Sequence, residues 1–132
     1  MALVYEKVKE EDRELFNSFV PNRKANRHTK WVVDREKNIY SFWVGGDYRD
    51  YTKTYFMSWN NIKIFIYTKS WSVVGEGTHM WINKVLINKK LDSKSEIVKE
   101  IMDTIKDMLQ IRYDNSIKFQ RIANPTFEEE KK

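Results

Sequence analysis

The sequence contains no cysteine. Disulfides, thiolate zinc sites and a cysteine nucleophile are excluded, and the chain suits a reducing compartment. Histidine is nearly as scarce. His28 and His79 lie some fifty residues apart, in different expected elements. Neither sits in HExxH, HxH or a local carboxylate pairing, so both read as ordinary loop and strand residues, and no metal or cofactor is expected. No stretch approaches ~18 consecutive apolar residues, so no membrane span is expected. The apolar run that opens MALVYEKVKEEDRELF is too short for a signal peptide, and acids follow at once. The expected setting is the cytoplasm, with no membrane partner. There is no internal repeat, linker or low-complexity block.

Phosphate-binding glycine motifs are missing too. Gly45-Gly46 leaves an expected strand and enters the aromatic loop GGDYRDY, without the GxxxxGK[ST] or GxGxxG spacing that opens a helix on a phosphate. Asp47 and Asp50 share that loop with Tyr48, Arg49 and Tyr51. Paired carboxylates need a set separation across a cleft, which the spacing alone does not supply. The reading therefore leans away from an enzyme and names no catalytic residue.

What is abundant is aromatic. Phe, Trp and Tyr make up 14% of 132 residues, with five tryptophans, and these large side chains must fill a core or form a contact surface. A chain of this length forms one domain with a core that needs no staples. Net charge is +5, from 24 basic and 19 acidic residues, which permits an anionic partner without requiring one. Lysine outnumbers arginine, and Asn and Ile are frequent. An AT-rich coding sequence produces that bias, so part of the lysine excess is discounted.

The most informative stretch is Thr52 to Ser70. Tyr55, Met57 and Trp59 alternate with Thr54, Phe56 and Ser58, and Ile62, Ile64 and Ile66 alternate with Lys63, Phe65 and Tyr67. Period-two alternation of β-branched and aromatic residues is a strand signature, and Asn60-Asn61 suits the positive φ of a two-residue turn. Leu3 to Val8 reads as a short strand or extended lead-in. Glu10 to Val20 reads as a helix with an acidic first turn, an apolar face of Leu15, Phe16 and Phe19, and a stop at Pro21. Trp31–Val33 and Ile39–Val44 read as strands around a DREKN turn, the second apolar on both faces. Thr78–Ile87 reads as the last long strand, with Met80, Ile82, Lys84 and Leu86 on one face and Trp81, Val85 and Ile87 on the other. Ser93 and Glu96 have capping-box spacing, and an apolar stripe from Ile97 to Leu109 predicts a long helix closed by Asp114-Asn115-Ser116.

These elements predict an α+β fold: an antiparallel β-meander of about five strands with an N-terminal helix and a long C-terminal helix packed on the sheet. One domain is expected over 1–124, and a flexible C-terminal tail over 125–132.

Two features point toward function. All five tryptophans fall on expected strands, and apolar residues on both sheet faces need cover, which points to a non-catalytic interaction module that pairs with itself or with a protein partner. The alternative is nucleic-acid binding. Arg23, Lys24, Arg27 and Lys30 form a basic run, Trp31 follows it, and Tyr48 and Tyr51 are candidates to stack on unpaired bases. No stretch carries a motif specific enough to name a family.

Overall fold

A computed structural model of the chain describes residues 3–20, 24–45 and 51–127. Its elements run β1 (Leu3–Lys7), α1 (Glu10–Phe19), β2 (Lys30–Asp34), β3 (Ile39–Gly45), β4 (Thr52–Trp59), β5 (Ile62–Val73), β6 (Gly77–Ile87), α2 (Glu96–Arg112), β7 (Ile117–Ile122) and β8 (Pro125–Phe127). All eight strands belong to one mixed sheet, in the order β1 to β7. The strands β1 to β6 are antiparallel to their neighbours. β7 and β8 both run parallel to β6, one beside Thr78–Ile82 and the other beside Val85–Ile87.

The expected five-strand antiparallel meander is therefore corrected. The chain adds β1 at one edge and the parallel pair β7 and β8 at the other. α2 is the crossover that parallel pairing requires, rather than a terminal helix laid on a finished sheet. Pro125–Phe127, expected to begin a loose tail, form β8.

The central hairpin forms as read. Trp59 faces Ile62 across Asn60 and Asn61, whose φ angles of 49° and 64° suit a tight hairpin turn. Its two side-chain sets enter two separate cores. Phe42, Phe56 and Phe65 share one face with Trp31 and receive Phe16 of α1. Phe56 and Phe65 stack with centroids 4.7 Å apart. Tyr55, Met57, Ile64 and Ile66 point the other way, onto Ile101, Ile105, Met108 and Leu109 of α2. The strands are apolar on both faces because a helix lies on each side of the sheet. A ten-residue helix is marginal alone, so α1 depends on the burial of Phe16 for its place.

The faces of β6 are also corrected. The register with β5 shifts between Tyr67 and Thr68, where Tyr67 pairs with Lys84 and Thr68 with Ile82, leaving Asn83 as the extra residue. A bulge reverses the alternation beyond it. Met80 and Ile82 thus join Val85 and Ile87 under α2, while Leu86 lies in the α1 core. The capping box is not formed. α2 starts at Glu96 behind Ser95, which makes no side-chain cap, because Asp92 instead turns the chain by accepting from the Lys94 amide. Among the described residues, no helix is long and apolar enough to cross a membrane.

Candidate ligand-binding cleft

α2 is shorter than the sheet it crosses. It ends at Arg112, with Tyr113 as its C-cap and left-handed Asp114 and Asn115 turning the chain away. Past that end the strands continue uncovered and form a cleft of about 410 Å³. Trp43 of β3, Tyr51, Lys53 of β4, Ser70 and Trp71 of β5, and Tyr113 line it. Trp43, Tyr51 and Trp71 are 45%, 53% and 41% exposed, unusual for rings on a sheet whose other aromatics are largely packed. Gly45 stands beside Trp43 so closely that a Cβ there would meet the indole at 3.2 Å. A side chain at that position would push the indole aside.

Lys53 is the centre of the cleft. Its Nζ lies 4.5 Å from the centroid of the Trp43 ring and 5.5 Å from that of Tyr113. It donates to the Tyr113 hydroxyl at 3.2 Å, and that hydroxyl is 2.8 Å from the Tyr55 hydroxyl. The two phenols are driven apart. Burial, with Tyr113 adding to it, pushes the Tyr55 phenol far above the ordinary tyrosine range. Burial also acts to raise Tyr113, but hydrogen bonds from Tyr55 and Lys53 and the Lys53 charge outweigh it and hold that phenol below its ordinary value. The Tyr113 oxygen accepts from Lys53 and is the phenol that gains by ionising, while Tyr55 is favoured in its protonated form. Behind them Arg112 donates to the Ser41 carbonyl at 3.1 Å and to its hydroxyl at 2.8 Å. Burial lowers the Arg112 pKa, against the pull of Tyr55 and Tyr113.

Among the described residues, no His, Asp or Glu lines this cleft, and neither Lys53 nor Arg112 has a carboxylate partner. Aromatic walls around an ammonium group offer ring stacking and a counter-charge for an anion.

A second cleft, of about 510 Å³, opens beside the start of α1 and is lined by Trp31, Asp12 and Lys63 among others. Here Lys63 is 3.2 Å from Asp12 and also donates to Ser58. Its charge is balanced within the chain.

The described residues among those singled out from the sequence lie in different places. Trp31 is buried in the α1 core against Phe42 and Phe56, and its packed ring offers no open face. Lys24 and Arg27 are exposed on a loop that Asn17 holds to α1 through both the amide and the carbonyl of Ala25. Lys30 is exposed at the start of β2, opposite Lys7. Tyr51 is the one described residue of this set that lines the cleft. Arg23 and Tyr48 lie outside the described residues, as do Asp47 and Asp50 of the neighbouring loop. Sequence reasoning missed Lys53 and Tyr113. The available signal was a lone lysine on the apolar face of a strand, two residues before Tyr55.

No protein-family model, curated protein or solved structure matches this chain.

Proposed function

We propose that the protein is a non-catalytic, cytoplasmic binding module whose cleft at the end of α2 takes a planar ring carrying an anionic group, as in a nucleotide. The observation that carries this reading is Lys53, held between two aromatic rings with no carboxylate beside it among the described residues. A ring stacks on Trp43 or Tyr51, and its phosphate meets Lys53. The volume of about 410 Å³ falls within the ~300–1,000 Å³ of small-molecule sites. Calorimetric titration with a nucleoside monophosphate, the matching nucleoside and inorganic phosphate tests it. The monophosphate is expected to bind most tightly, since it alone engages both features. Saturable binding of none of the three would end the reading.

Self-association is a second reading, and one observation favours it. β1 is an edge strand, and Tyr5 on it is 69% exposed. An open edge offers unpaired backbone groups to another copy. Sedimentation of wild type and Tyr5→Lys at high concentration tests it, and a wild type that stays monomeric rejects it.

A further inference from the structure

α1 covers the centre of its sheet face and leaves the far ends of β5, β6 and β7 uncovered among the described residues. Register fixes what stands there. Tyr67 pairs with Lys84, Lys69 with Trp81, and Trp71 with His79. His79 then pairs with Lys118, and Trp81 with Arg121. Paired residues share a face, so all of these side chains stand on the α1 side. Their strand neighbours confirm it, since Met80, Ile82 and Ile117 are buried in the α2 core and Phe119 and Ile122 pack against it.

Lys69, Lys84, Lys118 and Arg121 are exposed. No Asp or Glu occupies any of the registered positions, and the nearby acid at the hairpin tip, Glu76, lies 3.6 Å from His79. Between the cations stand rings. Trp71 and Trp81 have centroids 4.8 Å apart, and the Lys84 ammonium lies 5.6 Å from the Tyr67 ring. Trp71 also lines the cleft at the end of α2. The cationic face and the cleft lie on opposite faces of the sheet and adjoin at this residue, where β5 runs past the start of β4.

We infer that this face binds single-stranded nucleic acid, its phosphates on Lys69, Lys84, Lys118 and Arg121 and its bases on Trp71 and Trp81, with one nucleotide passing Trp71 into the cleft. This rests on the proposed use of the cleft for a nucleotide. Four cations spread over adjacent strands, with rings between them, match a charged backbone with unpaired bases better than they match a small molecule. Sheet surfaces that bind RNA stack about two or three bases on such rings. A duplex keeps its bases stacked inside and leaves the rings unused.

The test compares a nucleoside monophosphate with fluorescent oligothymidylate and oligouridylate of about twelve nucleotides, within the ~4–16 that one compact binding fold covers. Both oligomers are expected to bind at least about tenfold more tightly than the monophosphate. Their log affinity should fall with log salt at a slope of about −3, the value for four phosphates neutralised on a single strand. The triple variant Lys69→Glu, Lys84→Glu, Lys118→Glu should lose at least about tenfold in oligomer affinity per the same charge contacts. It should keep its affinity for the monophosphate and its unfolding transition.

Three results would overturn the inference. The oligomers bind no more tightly than the monophosphate, the triple variant binds them unchanged, or a duplex of equal length binds as well as the single strand. In each of these the cleft reading survives. If the monophosphate itself fails to bind, the cleft reading falls and takes the inference with it.

Discussion

Lys63 and Lys53 sit on the two strands of the same hairpin, face opposite sides of the sheet, and each approaches a tryptophan. Lys63 lies 5.9 Å from the Trp31 centroid, and Lys53 lies 4.5 Å from that of Trp43. They differ in their counter-ions. Lys63 has Asp12, brought in by the first turn of α1, whereas among the described residues Lys53 has the hydroxyl of Tyr113 and no carboxylate. The chain closes one side of the hairpin with an ion pair and a buried ring, and leaves a cation among exposed rings on the other. A lysine that completes its own electrostatics belongs to the fold. A lysine that does not is where an outside anion gains most.

The contrast implies that changes on the α1 side appear in stability and changes in the cleft appear in binding. The largest effect is expected for Phe16→Ala, which empties the centre of the α1 core. It should cost about 3–5 kcal/mol in urea unfolding. Next comes Trp43→Ala. Its ring is exposed, so stability should change by less than ~1 kcal/mol, while ligand affinity falls by the ~1–3 kcal/mol that a stacking ring contributes. Asp12→Asn should cost about 1 kcal/mol of stability. It should also give the α1 cleft a weak affinity for anions, since Lys63 then resembles Lys53. If calorimetry finds no such gain, the counter-ion is not what separates the two clefts.

The smallest effect concerns pH. Tyr113 has a lowered pKa, so its ionised form is favoured by folding. Its contribution to stability is present above the ordinary tyrosine value of ~10 and is lost as pH falls through the folded value. Tyr55 works in reverse, its contribution being present below ~10 and lost as pH rises through its elevated folded value. Ultraviolet titration should show one tyrosine ionising early. That step should vanish in Tyr113→Phe and move upward in Lys53→Gln. Ionised Tyr113 neutralises Lys53, so ligand affinity should weaken over the same pH range in wild type and hold steady in Tyr113→Phe.

Much of the scaffold was legible because its signals are local. Alternation over Thr52–Ser70 with Asn60-Asn61 marks the hairpin, and the stripe from Ile97 to Leu109 marks α2. The far edge was not legible. Ile117–Ile122 is a short strand with half of its side chains exposed, and its partner is decided by where α2 delivers it. The faces of β6 were misread because the bulge at Asn83 has no pattern in the sequence until β5 lies beside it. The candidate site was hidden for the same reason. Lys53 and Tyr113 are 60 residues apart and meet only because α2 ends over β4. The basic run 23–30 drew attention by composition, yet Trp31, the ring beside it, turns inward to complete a core.

The most direct measurement titrates one nucleoside monophosphate into Lys53→Gln and Lys63→Gln side by side, with the unfolding of each variant recorded. Binding should be lost in Lys53→Gln with its stability nearly intact, and kept in Lys63→Gln, which unfolds more readily. Equal binding by both variants would contradict the assignment of Lys53 as the point where the ligand is held.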